Sequence, residues 1–206
     1  MVIVLEVLIV ARHAEAASNV DGIVSGMLPG AGLSDRGRRE AARLAVRLGS
    51  ERIELGVSSR FARAQETLGL ALAGHPSVPT VAMPELDEIG FGAFEGGPLE
   101  AYREWAWANG PAAPCPGGGE SRSDVAIRIA TALELLLARP EETIVVVGHA
   151  LPLRYALDAA DGSFPAAKIE RLAHATPYPL TRQQVDAAAE TLRVWSQDPQ
   201  FRDAAD

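Results

Sequence analysis

The chain has 206 residues, of which 48% are hydrophobic and 22% charged, and its formal net charge is −8. This length suits one well-buried domain and is short for two. The acidic balance excludes non-specific nucleic-acid binding, which needs a basic surface, whereas a local arginine cluster can still form a positive pocket for a small anion. The apolar run near the N-terminus is too short to cross a bilayer and contains Glu6.

A single cysteine, Cys115, rules out an intramolecular disulfide and fits a reducing compartment. We therefore expect a cytoplasmic protein without a membrane segment. The sequence is compatible with a homodimer but does not predict one.

Strand and helix signals alternate along the chain, which predicts βαβ units, a mostly parallel sheet and a three-layer α/β/α sandwich. In chain order, the apolar runs predict strands over residues 2–11, 55–58, 78–83 and 143–147. Apolar periodicity and capping residues predict helices over residues 34–48, 60–73, 99–108, 121–138, from 149 to 157, and 181–197.

We expect one domain over residues 1–206, with a substrate-covering insertion at about 84–120 and an atypical tail at about 158–206. Pro79 marks its segment as an edge strand or a strand start. In the tail, two prolines in the segment Pro177-Tyr178-Pro179 predict irregular chain in place of a strand.

Charged side chains follow the predicted strands. Arg12 and His13 end the first apolar run, Arg63 follows the second strand, Glu88 the third, and His149 the fourth. Ligand sites on open α/β sheets form at the carboxyl ends of the strands. We therefore expect these residues to meet in one site.

Two histidines, two arginines and one carboxylate suit phosphoryl transfer through a histidine. A neutral imidazole can attack phosphorus if its other nitrogen is fixed, and His13 lies where backbone carbonyls can do this. Arg12 and Arg63 can bind phosphate oxygens in bidentate fashion, and His149 can donate a further hydrogen bond. Glu88 has apolar neighbours that can raise its pKa, as a general acid and base requires.

The ordered pattern resembles the histidine phosphatase superfamily, also called the phosphoglycerate mutase-like or RHG family, over about residues 8–157. Six segments carry the resemblance: 10–15 (VARHAE), 33–41 (LSDRGRREA), 58–67 (SSRFARAQET), 86–96 (LDEIGFGAFEG), 118–121 (GGES) and 149–154 (HALPLR).

The resemblance implies that His13 is the phosphorylated nucleophile, that Glu88 is the proton donor, and that Arg12, Arg63 and His149 complete the phosphate pocket. It also implies that Asn19, Ser25 and Gly26 line the substrate, and that the backbone N–H of Ala150 serves as an oxyanion donor. Ala14 and Ala150 stand where the family most often has glycine, so a Gly-only backbone at either position would strain the pocket.

We accordingly expect a phosphomonoester hydrolase that acts on a small phosphorylated metabolite without cofactor or metal. His75, His174 and Cys115 lack metal-ligand spacing, and we expect His174 to be structural or exposed. Two alternatives remain at this point: a phosphoglycerate mutase-like phosphotransferase, and a catalytically silent phosphate-binding module of the same fold.

Overall fold

The computed structural model describes residues 4–202, which form a five-stranded sheet between two layers of helices. The strands are β1 (Val7–Arg12), β2 (Leu55–Ser58), β3 (Thr80–Ala82), β4 (Thr143–Gly148) and β5 (Pro177–Thr181). The helices are α1 (Ala17–Val20), α2 (Asp35–Leu48), α3 (Ala62–Ala71), α4 (Leu99–Ala108), α5 (Arg122–Leu137), α6 (Ala150–Ala160) and α7 (Arg182–Gln197), with 3-10 turns at Pro84–Leu86 and Gly92–Phe94.

The strand order is β3-β2-β4-β1-β5, and the first four strands run parallel. Alternate residues of the central strands enter two separate cores. In β1, Leu8 and Val10 contribute to one core and Ile9 and Ala11 to the other. Helices α5, α6 and α7 cover the first face, and α2 and α3 cover the second. The expected α/β/α sandwich with a mostly parallel sheet is confirmed.

Local capping signals agree with the observed helix starts. Ser34 caps α2 by accepting from the N–H of Gly37, and Ser121 and Thr181 form capping boxes at the starts of α5 and α7. The first strand is shorter than expected, because it begins at Val7, and residues 2 and 3 lie outside the described part of the chain. β3 is an edge strand, as Pro79 indicated.

The expectation of irregular chain at Pro177-Tyr178-Pro179 is wrong, because this segment opens β5, which pairs antiparallel with β1. The two prolines are two residues apart, so their missing N–H groups fall on the same side of the strand. That side is the outer edge of the sheet, where no ladder hydrogen bond is lost. Within residues 4–202, no helix is both long and apolar enough to cross a membrane.

Candidate active site

The carboxyl ends of β1, β2 and β4 bring together the five residues singled out in the sequence. Arg12 is the last residue of β1, His13 follows it, and His149 follows β4. Arg63 lies in the first turn of α3, just after β2, and Glu88 follows the 3-10 turn beyond β3. The parallel register of β1 and β4, which pairs Arg12 with Gly148, sets the two histidines side by side with ring centroids 5.2 Å apart.

The His13 ring is held by one hydrogen bond at each nitrogen. Its Nδ1 lies 2.7 Å from the carbonyl oxygen of Ala14, and its Nε2 lies 3.2 Å from Nε of Arg63. A carbonyl can only accept, and a guanidinium can only donate. These contacts therefore assign the proton to Nδ1 and the lone pair, which accepts from Arg63, to Nε2. Burial, followed by the charges of Arg63 and Arg12, holds the pKa of His13 well below its ordinary value, so the ring is neutral.

Arg63 links the two histidines. Its Nη2 lies 3.2 Å from Nδ1 of His149 and also donates to the carbonyl oxygen of Ser25 at 2.9 Å. On the far side of the His149 ring, Nε2 lies 2.7 Å from the hydroxyl of Ser59. Burial and the charge of Arg63 also hold the pKa of His149 well below its ordinary value. His149 is therefore a neutral, fully buried ring behind the arginine.

Both arginines carry buried donors that have no hydrogen-bond partner within residues 4–202, namely Nε of Arg12 and Nη1 of Arg63. Burial lowers the pKa of Arg12 to about 10, and it also lowers the pKa of Arg63. A buried donor left unpaired is costly, and a buried cation more so. An anion bound between these guanidinium groups would relieve both costs.

Glu88 is the carboxylate nearest to His149, with Oε2 3.7 Å from Nδ1 of that ring. Its side chain is 13% exposed. Burial raises its pKa, against the opposing effects of Arg63 and of the N–H of Ile89, which donates to Oε1 at 3.1 Å. The group is thus suited to carry a proton and to release it.

Arg128 holds the loop that carries Glu88, a role that the sequence reasoning missed. From α5 it donates to the backbone carbonyls of Glu85, Asp87 and Glu88 at 2.8–3.2 Å, and it pairs with Glu120 at 2.8 Å. The signal was present: Arg128 interrupts the apolar face of α5, next to buried neighbours. A charge at such a position needs a buried partner.

The remaining predicted residues divide by position. Asn19, Ser25 and Ala150 line the cavity, whereas Gly26 does not appear among its lining residues. The N–H of Gly26 instead donates to the carboxylate of Glu95 at 2.8 and 3.0 Å. A Cβ on Gly26 would lie 2.6 Å from the carbonyl oxygen of Ile89, so only glycine allows this approach.

Neither alanine at a usual glycine position is strained. Ala175 is the one non-glycine residue with positive φ in the described chain, so Ala14 and Ala150 adopt ordinary backbone angles. Ala14 is fully buried and donates its N–H to Thr67 Oγ1 at 3.0 Å. Ala150 opens α6, where the first N–H groups of a helix have no partner inside it.

His174, expected to be structural or exposed, lies against the site. Its ring stacks on that of His13 with centroids 5.8 Å apart and an interplanar angle of 29°. It also lines the cavity. No motif could have revealed this, because the contact depends on a bridge between Arg12 and residue 174 across the sheet edge.

Arg12, His13, Arg63, Glu88 and His174 line a cavity of about 420 Å³, within the size range of small-molecule sites, whereas His149 lies behind this lining. We call the part lined by Arg12, His13, Arg63 and Glu88 the histidine side. We call the lining residues from α4 and from the segment that precedes His174 the α4 side, namely Leu99, Tyr102, Arg103, Trp107, Ile169 and Arg171. Among residues 4–202, no group of His, Cys, Asp or Glu side chains could hold a metal ion.

Fold and site together define an α/β protein with a buried, arginine-flanked histidine at the carboxyl ends of its parallel strands. A family model described as histidine phosphatase superfamily (branch 1) matches residues 8–198. The chain belongs to this superfamily. The match extends through the tail, well past residue 157, where the motif resemblance ended.

Two relatives and one solved structure illustrate the range of similar proteins. Phosphoserine phosphatase 1 of Hydrogenobacter thermophilus is 32% identical over 71% of this chain and 72% of its own. Phosphoglycerate mutase-like protein 4 of Arabidopsis thaliana is 30% identical over 91% of this chain and 84% of its own. The crystal structure of a putative alpha-ribazole-5'-P phosphatase from Escherichia coli is 26% identical, with a TM-score of 0.73 over 85% of this chain and 89% of that one.

Proposed function

We propose that this protein hydrolyses phosphomonoesters of small metabolites through a phosphohistidine intermediate on His13. The observation that carries the proposal is the pair of hydrogen bonds on the His13 ring, which leaves the lone pair of Nε2 beside Arg63 in the cavity. The phosphatase names among the relatives support hydrolysis.

In the first step, Nε2 of His13 attacks phosphorus, and the P–N bond forms as the bond to the ester oxygen breaks. The negative charge on the three equatorial oxygens is stabilised by Arg12 and Arg63. The N–H of Ala150 and a protonated His149 contribute further hydrogen bonds. Protonation of His149 is favoured here because a bound anion raises the pKa of a nearby imidazole. The leaving alkoxide takes its proton from Glu88.

In the second step, the Glu88 carboxylate takes a proton from water, which attacks the phosphohistidine. The P–N bond breaks, inorganic phosphate leaves, and Nε2 of His13 regains its lone pair. Glu88 ends the cycle protonated, as it began. Because burial raises the pKa of Glu88, the carboxyl group holds its proton more readily than an exposed glutamate does, as the first role requires, and it can still release the proton.

The residues of the α4 side indicate which kind of ester fits the cavity. Its apolar and aromatic wall includes Tyr102 and Trp107, while Arg103 and Arg171 add positive charge. Both arginines are close enough to lower the pKa of Arg12. The cavity therefore carries more positive charge than one phosphate group neutralises. We infer that the preferred ester has an apolar part and a second anionic group.

Phosphate release from a panel of phosphomonoesters tests the proposal, with wild type and His13→Ala compared in the presence of a chelator. We expect release by wild type and a loss of about 10⁴-fold or more in the variant. Rapid quenching with ³²P-labelled substrate should trap label on wild-type protein that is stable in alkali and lost in acid. Release by His13→Ala at the wild-type rate would contradict the proposal.

Two other functions are separated by the same assay. The name of the mutase-like relative supports one alternative, in which the phosphoryl group is transferred to a second hydroxyl. Such transfer would appear as rephosphorylation of a monophosphate acceptor with little free phosphate. A silent phosphate-binding module would bind phosphate and turn over no ester. The ordinary backbone of Ala14 and Ala150 removes the argument that favoured the silent module.

A further inference from the structure

We propose that His174 is a third histidine of the phosphoryl site, whose Nε2 takes up a proton as phosphate arrives and donates a hydrogen bond to it. The inference rests on the proposed function only in that a phosphate anion occupies the histidine side of the cavity. Binding without turnover would be enough to test it.

The backbone places His174 beside the nucleophile. Residues 12 and 174 form a β-bridge, in which the N–H of Ala175 donates to the carbonyl oxygen of Arg12 at 2.9 Å. Ala175 has a φ of 46°, a conformation that costs free energy for alanine. This strained turn brings the imidazole of His174 onto the ring of His13, and the stacked pair leaves one face of His13 without access to solvent.

The two nitrogens of His174 have different surroundings. Nδ1 lies 3.6 Å from Oε2 of Glu40, a carboxylate that is fixed by the N–H of Glu15 at 3.0 Å and by Arg36 at 3.0 Å. The neighbouring carboxylate favours the tautomer of the neutral ring that carries its proton on Nδ1. Nε2 is buried and has no hydrogen-bond partner within residues 4–202.

The unpartnered Nε2 belongs to a side chain that is 10% exposed and lines the same cavity as Arg12 and His13. Buried polar atoms are rarely left unpaired without a reason. An oxygen atom of a ligand in this cavity can be the missing partner of Nε2. As a lone pair, however, Nε2 would repel an unprotonated phosphate oxygen, which can only accept, so a hydrogen bond to such an oxygen requires the protonated ring.

The protein groups around His174 keep its ring neutral. Burial, followed by the charges of Arg12 and Arg171, lowers the pKa of His174 to about 4. The other facing groups are Glu15, which opposes this shift, Arg36, which adds to it, and Glu40 and the neutral His13. A phosphate dianion beside Arg12 reverses the balance, because it offsets the arginine charges and favours the imidazolium.

The proton comes from solvent or from the monoanionic form of the phosphate (a phosphate monoester has a second pKa of about 6), and it returns when phosphate leaves. In the protonated ring both nitrogens donate, Nδ1 toward Glu40 and Nε2 toward the phosphoryl oxygen. A charge-assisted hydrogen bond of this kind is about twice as strong as a neutral one.

Calorimetric titration with inorganic phosphate at pH 7.5, in two buffers of different ionisation enthalpy, counts the protons taken up on binding. Because His13 and His149 can also take up protons, the diagnostic quantity is the difference between wild type and His174→Phe, which keeps a flat ring against His13 but has no Nε2. Compared with wild type, we expect the number of protons taken up by the variant to be lower by at most one. We also expect the variant to bind phosphate about tenfold to a hundredfold more weakly. His75→Phe, the same change outside the cavity, should match wild type.

His174→Gln gives a second test if the aromatic variant does not fold. It restores a neutral donor without the ring, so the difference in proton uptake should remain while part of the phosphate affinity returns. Equal proton uptake and affinity in wild type and His174→Phe would show a packing role only and overturn the inference, as would failure of wild type to bind phosphate. If proton uptake depends on His174 but no ester is hydrolysed, the inference stands and the proposed function fails.

Discussion

The histidine side and the α4 side of the cavity are built in different ways. On the histidine side, every ring nitrogen of His13 and His149 has a defined neighbour, and Arg63 connects the two rings from a buried position. On the α4 side, Arg103 and Trp107 are 42–47% exposed and come from a helix in the insertion. The side chains at the strand ends are thus held by buried hydrogen bonds, whereas those of the α4 side are partly exposed and less constrained.

Glu88→Gln removes the proposed proton donor from the histidine side and should reduce activity strongly. A glutamine can neither give nor accept the proton, so we expect kcat to fall by about 10²- to 10⁴-fold. The loss should be smaller for an aryl phosphate, whose leaving group needs no proton, when formation of the phosphoenzyme is measured alone. An equal loss for alkyl and aryl esters in that step would contradict the assignment of Glu88 as the acid.

The same variant should be more stable than wild type at neutral pH. Burial raises the pKa of Glu88 above its ordinary 4.5, so the folded state holds this proton more tightly than the unfolded chain does. Stability from this group therefore falls as the pH rises from the unfolded pKa through the raised folded pKa. The Tm of Glu88→Gln should match that of wild type near pH 4 and exceed it increasingly above that pH.

Arg128→Met tests a residue that does not contact the substrate itself but positions Glu88, which does. We expect kcat to fall by about tenfold to a hundredfold because Glu88 is misplaced, with little change in KM. Since the charge of Arg128 lowers the pKa of Glu88, the pH profile of kcat should also shift to higher pH. Arg193→Met is the matched control, because Arg193 pairs with Glu134 of α5 away from the cavity. A profile unmoved by Arg128→Met would leave Arg128 with a role in folding alone.

Arg103→Gln should have the smallest effect and should act on the α4 side alone. For an ester with a second anionic group, kcat/KM should fall a few-fold, in keeping with a partly exposed ion pair worth roughly 0.2–1 kcal/mol. For a matched ester without that group, kcat/KM should not change. Arg47→Gln, an exposed arginine on α2, controls for net charge. Equal effects on both esters would remove Arg103 from substrate selection.

The sequence predicted what local rules determine. Four of the five strands, the capped helices and the convergence of His13, Arg63 and His149 follow from apolar runs, cap residues and the rule that sites form at strand ends. The position of His174 does not follow from such rules, because it depends on a bridge between chain segments 162 residues apart in number. Gly26 shows the same limit in a loop, since its N–H is taken by Glu95 far along the chain.

The error at β5 has a different origin. Two prolines close together predicted irregular chain, whereas the N–H groups at alternate positions of an edge strand do not take part in the ladder. Tyr178 and Leu180 are the positions that can donate to β1, while Pro177 and Pro179 point their ring nitrogens outward. The spacing of the two prolines, rather than their number, was the informative signal.

The alternate spacing of the two prolines also affects whether another molecule can add a strand to this edge of the sheet. Like the two prolines, Thr181 occupies a position of β5 whose backbone nitrogen points away from β1. Its N–H donates to Oε1 of Gln184 at 3.0 Å. No backbone N–H of β5 is therefore left to recruit another strand on its outer edge. An open edge is a common starting point for aggregation, and prolines are one way in which proteins close it. The edge of the sheet next to β1 therefore offers no β5 backbone N–H to a neighbouring molecule, which disfavours extension of the sheet there.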